Sequence, residues 1–392
     1  MGSTRIYGAH YAKEDFRIAL FLRNFTATKT LTQWQYHSAH YQQWLCSTLP
    51  PRLVGTYTDT DSKGIYQYRF NQESGTAELT AVTPARNPSF VIFSDNDDNV
   101  YAVDESGTDD DALAAFRYEG IDKPLTRINA VATGGKAPCN IFQTKNLIYT
   151  ANYTGGSITE FRLADDGSIK KANKVMTFSL TGKAPDKTRQ QSAHLHCVTA
   201  DHYEWRAFAC DLGNDCIYSL KPNATCDGLE VDSTLYVAAG SGPRHLTFDD
   251  EGRYAYLITE LSGEVMVFSH HEGKLTQIQT VTADDRHARG SADIHLTPDG
   301  RFLYASNRLQ GDGIAIFSVD KESGMLTRAG YQSTARHPRN FAITPNGRFL
   351  LCACRDADTI QVFAIDPDTG MLSDTGHDIH VPHPVCIAIG SK

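Results

Sequence analysis

A short apolar segment returns seven times in this chain at nearly constant spacing, and that regularity limits the fold more than any other feature. The copies are Leu53-Val54-Gly55-Thr56, Tyr101-Ala102-Val103, Tyr149-Thr150-Ala151, Phe208-Ala209-Cys210, Tyr256-Leu257-Ile258, Tyr304-Ala305-Ser306 and Leu351-Cys352-Ala353. Their first residues lie 48, 48, 59, 48, 48 and 47 positions apart. Each is short, apolar and bounded by polar turns, which reads as a strand rather than a helix. Three copies follow a tight turn, Glu251-Gly252-Arg253, Asp299-Gly300-Arg301 or Asn346-Gly347-Arg348, whose glycine supplies the positive φ of a hairpin.

Two further series run in step with the first. After each copy comes a second apolar strand, as in Gly263-Glu264-Val265-Met266-Val267-Phe268 and Gly313-Ile314-Ala315-Ile316-Phe317, followed by turns such as Gly324-Met325-Leu326 and Gly370-Met371-Leu372. Before each copy comes a segment such as Ala137-Pro138-Cys139, Gly242-Pro243-Arg244 or His337-Pro338-Arg339. About four short strands per repeat of this length is the pattern of a propeller blade. The reading is therefore an all-β, seven-bladed β-propeller over residues 52–392. Three concurrent seven-fold series argue against a β-sandwich with accidentally regular strands. The repeat region opens on a second strand at Leu53 and ends on a first strand at Pro384 to Ile389, so the C-terminal strand is expected to join the N-terminal blade and close the ring.

Composition narrows the function. With 37 Lys+Arg against 46 Asp+Glu the formal net charge is −9, and no basic block offers a footprint for nucleic acid. No stretch approaches the ~18 consecutive apolar residues of a membrane helix. Nine cysteines without a Cys-x-x-Cys pair do not indicate a disulfide framework; Cys352 and Cys354 share a strand face and read as buried apolar residues rather than a metal site. Residues 1–51, rich in Tyr, His, Gln and Thr, read as an N-terminal extension of unknown role. They lack the cleavage site of a secretory signal, and Ile6 breaks the myristoylation pattern. A cytoplasmic location is the default, and oligomeric state is not legible. There is no Gly-x-Ser-x-Gly elbow, no phosphate loop and no His-Glu-x-x-His pair, which disfavours a covalent serine hydrolase of the familiar kind.

The blade register indicates where polar groups converge. First strands line the axis, and their starts open on the same rim as the ends of second strands. Twelve residues before Phe208, Tyr256 and Leu351 stand His196, Arg244 and Arg339; four residues after Tyr101, Tyr256, Tyr304 and Leu351 stand Glu105, Glu260, Arg308 and Arg355. Taken singly, a charge at a strand end is usually a solvated rim group, and Glu105 and Arg355 stay under that reading. His194 and His196 alternate on a strand, yet no carboxylate completes a metal site, and one of them can equally be a satisfied core histidine. Convergence of His196, Arg244, Glu260 and Arg308 suits an anionic substrate with an ester-like carbonyl.

Several segments resemble the lactonase family of seven-bladed propellers: Leu53-Val54-Gly55-Thr56-Tyr57-Thr58, Ala151-Asn152-Tyr153-Thr154-Gly155-Gly156, Gly242-Pro243-Arg244-His245, Asn307-Arg308 and His337-Pro338-Arg339-Asn340-Phe341. That family includes propeller-type 6-phosphogluconolactonases and fungal carboxy-cis,cis-muconate cyclases. The resemblance implies a metal-independent, cofactor-free enzyme acting on a small anionic lactone, with catalytic residues on His196, Arg244, Glu260 and Arg308. His194, Asn152 and Arg339 are expected to bind substrate. The implied reaction is hydrolysis of 6-phospho-D-glucono-1,5-lactone, a step of the pentose phosphate route; Glu260 or His196 is the expected base, and one of Arg244 and Arg308 holds the phosphate. A muconolactone-type substrate or a non-catalytic binding propeller is the alternative. An insertion around Lys183 to Gln191 lengthens one repeat beside His194 and is expected to form part of the pocket or a lid.

Overall fold

The structure of the chain is a computed structural model that describes residues 51–201, 206–225 and 228–390. Of the segment read as an extension, residues 1–50 lie outside the described residues. Pro51 opens the first strand and pairs with Arg69. Two of the nine cysteines, Cys46 and Cys226, also lie outside; the seven described are free and buried.

Seven antiparallel sheets follow one another along the chain. Blade 1 combines Pro51–Thr56, Gly64–Phe70 and Ala77–Pro84 with the C-terminal Pro384–Ile389, which pairs Arg52 with Ile389 and Val54 with Ile387. The expected closure of the ring is therefore present. Blades 2 to 7 begin their first strands at Val91, Pro138, Leu195, Pro243, Ser291 and Pro338. The second strands begin at Asn99, Leu147, Ala207, Tyr254, Phe302 and Phe349, where the recurring apolar segment put them. Blade 7 carries one extra short strand, Ile379–His380, on its third strand Thr359–Ile365.

The core is divided among the seven contacts between neighbouring blades. One apolar cluster fills each: Leu53, Ile65 and Val100 between blades 1 and 2, for example, and Tyr256, Val267 and Leu303 between blades 5 and 6. Another cluster, with Tyr68, Phe70 and Val362, joins blade 7 to blade 1. Removing one such buried ring costs about 3–5 kcal/mol. The recurring tyrosine does more than pack. Tyr101, Tyr256 and Tyr304 donate their hydroxyls to the carbonyls of Gly167, Gly324 and Gly370, each in the outer hairpin of the next blade, at 3.1, 3.1 and 2.8 Å. Gly324 and Gly370 have φ of 71° and 69°, and a Cβ there would meet the rings of Tyr254 and Phe302 at 2.3 and 2.4 Å. The two Gly-Met-Leu turns thus mark where blades 6 and 7 are latched to the blades before them.

Candidate active site

The polar residues reach one mouth of the ring because of a backbone irregularity repeated at the starts of first strands. In blade 5, Pro243 pairs with Thr259 but His245 already pairs with Ile258, so Arg244 is left over as a bulge. Blade 4 leaves His196 over between Leu195 and Cys197, blade 7 leaves Arg339 between Pro338 and Asn340, and blade 3 leaves Cys139 between Pro138 and Asn140. A bulge re-aims its extra side chain out of the strand's alternation.

A second ring of residues follows the ends of the second strands. The backbone N–H of Glu260 donates to the carbonyl of Gly242 at 2.7 Å, and that of Arg308 to Gly290 at 3.2 Å. The same bond recurs for Tyr57, Glu105, Tyr153, Leu212 and Arg355, to His383, Asn87, Ala137, His194 and His337. All seven blades therefore present an equivalent residue here. The charged members were visible in the register; Tyr57 and Tyr153 occupy the same position and were not singled out.

Glu260 is the centre of the mouth. Its Oε2 accepts from Arg244 Nε at 3.0 Å and lies 3.4 Å from Arg308 Nη2, while Oε1 accepts from Arg189 Nη2 at 2.6 Å. Arg189 also donates to the Tyr153 hydroxyl at 3.3 Å. It comes from the insertion between blades 3 and 4, so that segment does contribute to the site. Glu260, Arg244 and Arg308 are buried. Burial alone raises the Glu260 carboxyl, but Arg308, Arg244 and Arg189 outweigh it and bring it down to about 2. Burial pushes Arg308 down to about 9, which leaves it charged at neutral pH, with Glu260 opposing the shift.

His196 is buried beside this cluster, edge-on to Tyr153 at 5.5 Å and to His245 at 5.3 Å, with its Nδ1 3.9 Å from Cys139 Sγ. Burial, then the charge of Arg244, holds it well below the usual imidazole range, so it is neutral at physiological pH. Across the mouth, Arg339 stands over the Tyr57 ring at 5.4 Å, and the Tyr57 hydroxyl donates to Glu105 at 2.9 Å. Glu105 is thus half-buried and partnered rather than a solvated rim charge. Arg355 sits farther round, bound to Asp356 at 2.6 Å and 3.4 Å from His337 Nδ1. On a chain of net charge −9, this gathering of guanidiniums is a local reversal of sign.

Behind the mouth, Asp293 Oδ1 accepts from His245 Nδ1 at 2.7 Å, which leaves His245 Nε2 to accept from Arg244 Nη1 at 3.2 Å. Asp293 Oδ2 also accepts from the amide of Asn340 and the backbone N–H of Phe341. A buried acceptor network therefore fixes the orientation of Arg244.

Two of the expected substrate-binding residues stand apart from the cluster on Glu260. Asn152 does not reach the mouth: it is fully buried, its Oδ1 accepts from Thr150, and its Nδ2 donates to Ser157 and Thr159 at 3.0 and 2.9 Å. It ties the blade 3 strands together, and its neighbour Tyr153 is the residue that faces the site. His194 is stacked on Tyr153 at 4.4 Å with Nδ1 on the Tyr153 carbonyl at 3.0 Å, so it supports that ring from outside the first strand. Among the described residues, no three His, Cys, Asp or Glu side chains come together as a metal site.

The geometry defines a seven-bladed propeller whose axial mouth gathers guanidiniums around a buried carboxylate beside a buried imidazole. The sequence matches the family described as "Lactonase, 7-bladed beta-propeller" over residues 52–389, and the chain belongs to that family. A 6-phosphogluconolactonase of Formosa agariphila is 38% identical over 313 residues, covering 77% of this chain and 88% of the relative. A solved structure from Bacteroides fragilis superposes with a TM-score of 0.85 at 45% identity, covering 88% of this chain and 98% of that one. The periplasmic gluconolactonase PpgL of Pseudomonas aeruginosa superposes with a TM-score of 0.82 at 32% identity, over 87% and 99% of the two chains.

Proposed function

We propose that the chain hydrolyses 6-phospho-D-glucono-1,5-lactone to 6-phosphogluconate. The observation that carries this reading is the convergence of Arg189, Arg244 and Arg308 on Glu260 beside a neutral His196, in a family whose named relatives open sugar lactones. A δ-lactone is an activated ester, so a modest site suffices. Arg244 and Arg308 face the carbonyl oxygen and stabilise the charge that develops there as water adds to the carbonyl carbon. Glu260 takes the proton from that water. In the resting site at neutral pH Glu260 is ionised and His196 is a neutral imidazole, so neither is a charged acid ready to protonate the leaving oxygen. The proton that the ring oxygen needs as the C–O bond breaks is therefore the one removed from water, handed on from Glu260. His196 accepts a hydrogen bond and holds the water or lactone in line. The product acid ionises to the carboxylate.

This reading assigns the chain to the pentose phosphate route and, because a phosphorylated sugar does not cross membranes freely, to the cytoplasm. Among the described residues no helix is long and apolar enough to cross a membrane. Initial rates on 6-phosphogluconolactone and on a carboxylated muconolactone test the assignment. The phosphorylated sugar lactone is expected to have the higher kcat/KM, and preference for the muconolactone would overturn it.

A further inference from the structure

The three guanidiniums on Glu260 are not equivalent. Arg244 and Arg308 have side chains 3% and 7% exposed, whereas Arg189 is 36% exposed. The two buried ones are also committed to backbone: Arg244 Nη1 donates to the carbonyl of Ala292, Arg308 Nε to Gly290 at 2.7 Å and Arg308 Nη2 to Ser291 at 3.4 Å. Arg189 touches the site through one nitrogen, shared between Glu260 and Tyr153.

The insertion that carries Arg189 is nevertheless firmly seated. Asp186 accepts from the backbone N–H groups of Thr188 and Arg189 at 2.8 and 3.0 Å and pairs with Arg289. Gln190 is buried and donates to the Leu212 carbonyl at 2.9 Å, and Asn214 Oδ1 accepts from the N–H groups of Thr181 and Gly182. The backbone is thus fixed while the arginine tip stands at the outer side of the mouth. A lactone whose carbonyl lies against Arg244 and Arg308 directs its far end outward, toward Arg189.

We infer that Arg189 is the specificity-determining residue that binds the phosphate of the substrate. This rests on the lactonase reading above and departs from the expectation that Arg244 or Arg308 holds the phosphate. Arg189 exchanges a carboxylate oxygen for phosphate oxygens, which its planar fork matches in two-point fashion. The exchange also suits the chemistry, because Arg189 is the partner of Glu260 Oε1 while Arg244 and Arg308 lie on Oε2. Movement of Arg189 uncovers Oε1 for the water.

The test compares kcat/KM on 6-phospho-D-glucono-1,5-lactone and on D-glucono-1,5-lactone for the intact chain, Arg189→Gln and Arg189→Lys. Preference for the phosphorylated lactone is expected to fall about 10–100-fold in Arg189→Gln, the range for a charged hydrogen-bond pair, and to recover in part in Arg189→Lys. Equal loss on both substrates, or a preference within about twofold of the intact chain, overturns the inference and leaves Arg189 a structural partner of Glu260. An intact chain active on both lactones without preference also overturns it. An intact chain inactive on both lactones instead sinks the functional reading, and the inference with it.

Discussion

Replacing Glu260 by Gln keeps the shape of the side chain and removes one negative charge from among three guanidiniums. In the native protein its carboxyl is brought from an ordinary 4.5 to about 2. At 1.36 kcal/mol per unit that difference is about 3 kcal/mol of stabilisation. Because the folded-state value lies below the unfolded one, the contribution is fully present above pH 4.5 and disappears as pH falls through 2. Glu260→Gln forfeits it at neutral pH and leaves Arg189, Arg244 and Arg308 facing an amide that cannot offset their repulsion. The variant should unfold about 5 °C lower and lose about 10²–10⁴-fold in kcat. Thermal unfolding by circular dichroism, together with initial rates on fresh lactone, reads both quantities. At neutral pH an unfolding temperature equal to or above that of the native chain would show that the guanidiniums do not depend on Glu260; full activity would remove Glu260 from the mechanism.

Further outcomes follow from the same geometry. Asn152→Ala should cost about 1–3 kcal/mol by leaving the Thr150 and Ser157 hydroxyls without their partner and taking one of two bonds from Thr159, which keeps Thr133; urea unfolding checks this, and a raised KM at unchanged stability would support the substrate-binding role. Tyr304→Phe should cost about 1–2 kcal/mol through the lost bond to Gly370, and unchanged denaturation midpoints would show that the latch between blades 6 and 7 is idle. His245 is lowered to about 4, first by burial and then by Arg244. Stability should therefore be full above pH 6.5 and decline toward pH 4, by about 3 kcal/mol for this group alone. Urea midpoints at pH 7.5, 5.5 and 4.5 measure that slope, and a flat profile would contradict neutral burial of His245.

The fold was legible because a closed ring of similar blades repeats its local requirements: an apolar second strand, a hairpin turn of positive φ and, in three blades, a glycine that admits the tyrosine hydroxyl of the preceding blade. The site was legible only so far as it obeys the same register. Arg244, Glu260 and Arg308 stand at fixed distances from Tyr256 and Tyr304, so counting finds them. Tyr57 and Tyr153 obey the same count, but an aromatic at a strand end does not announce itself as polar machinery. Asn152 lies one residue from Tyr153, and on a chain of alternating faces that single step separates the blade interior from the mouth. Arg189 belongs to no repeat: the 59-residue interval placed an insertion around Lys183 to Gln191 at the pocket, but no register picks out which of its side chains reaches Glu260. The bulges that aim His196, Arg244 and Arg339 depend on strand pairing that no local pattern reveals.

The central claim is that this mouth opens a phosphorylated sugar lactone. Its most direct test is the hydrolysis rate of freshly generated 6-phosphogluconolactone, corrected for spontaneous opening, for the intact chain and for Arg308→Ala. The account predicts strong acceleration by the intact chain and its loss in the variant. A folded intact chain that does not exceed the spontaneous rate would contradict it.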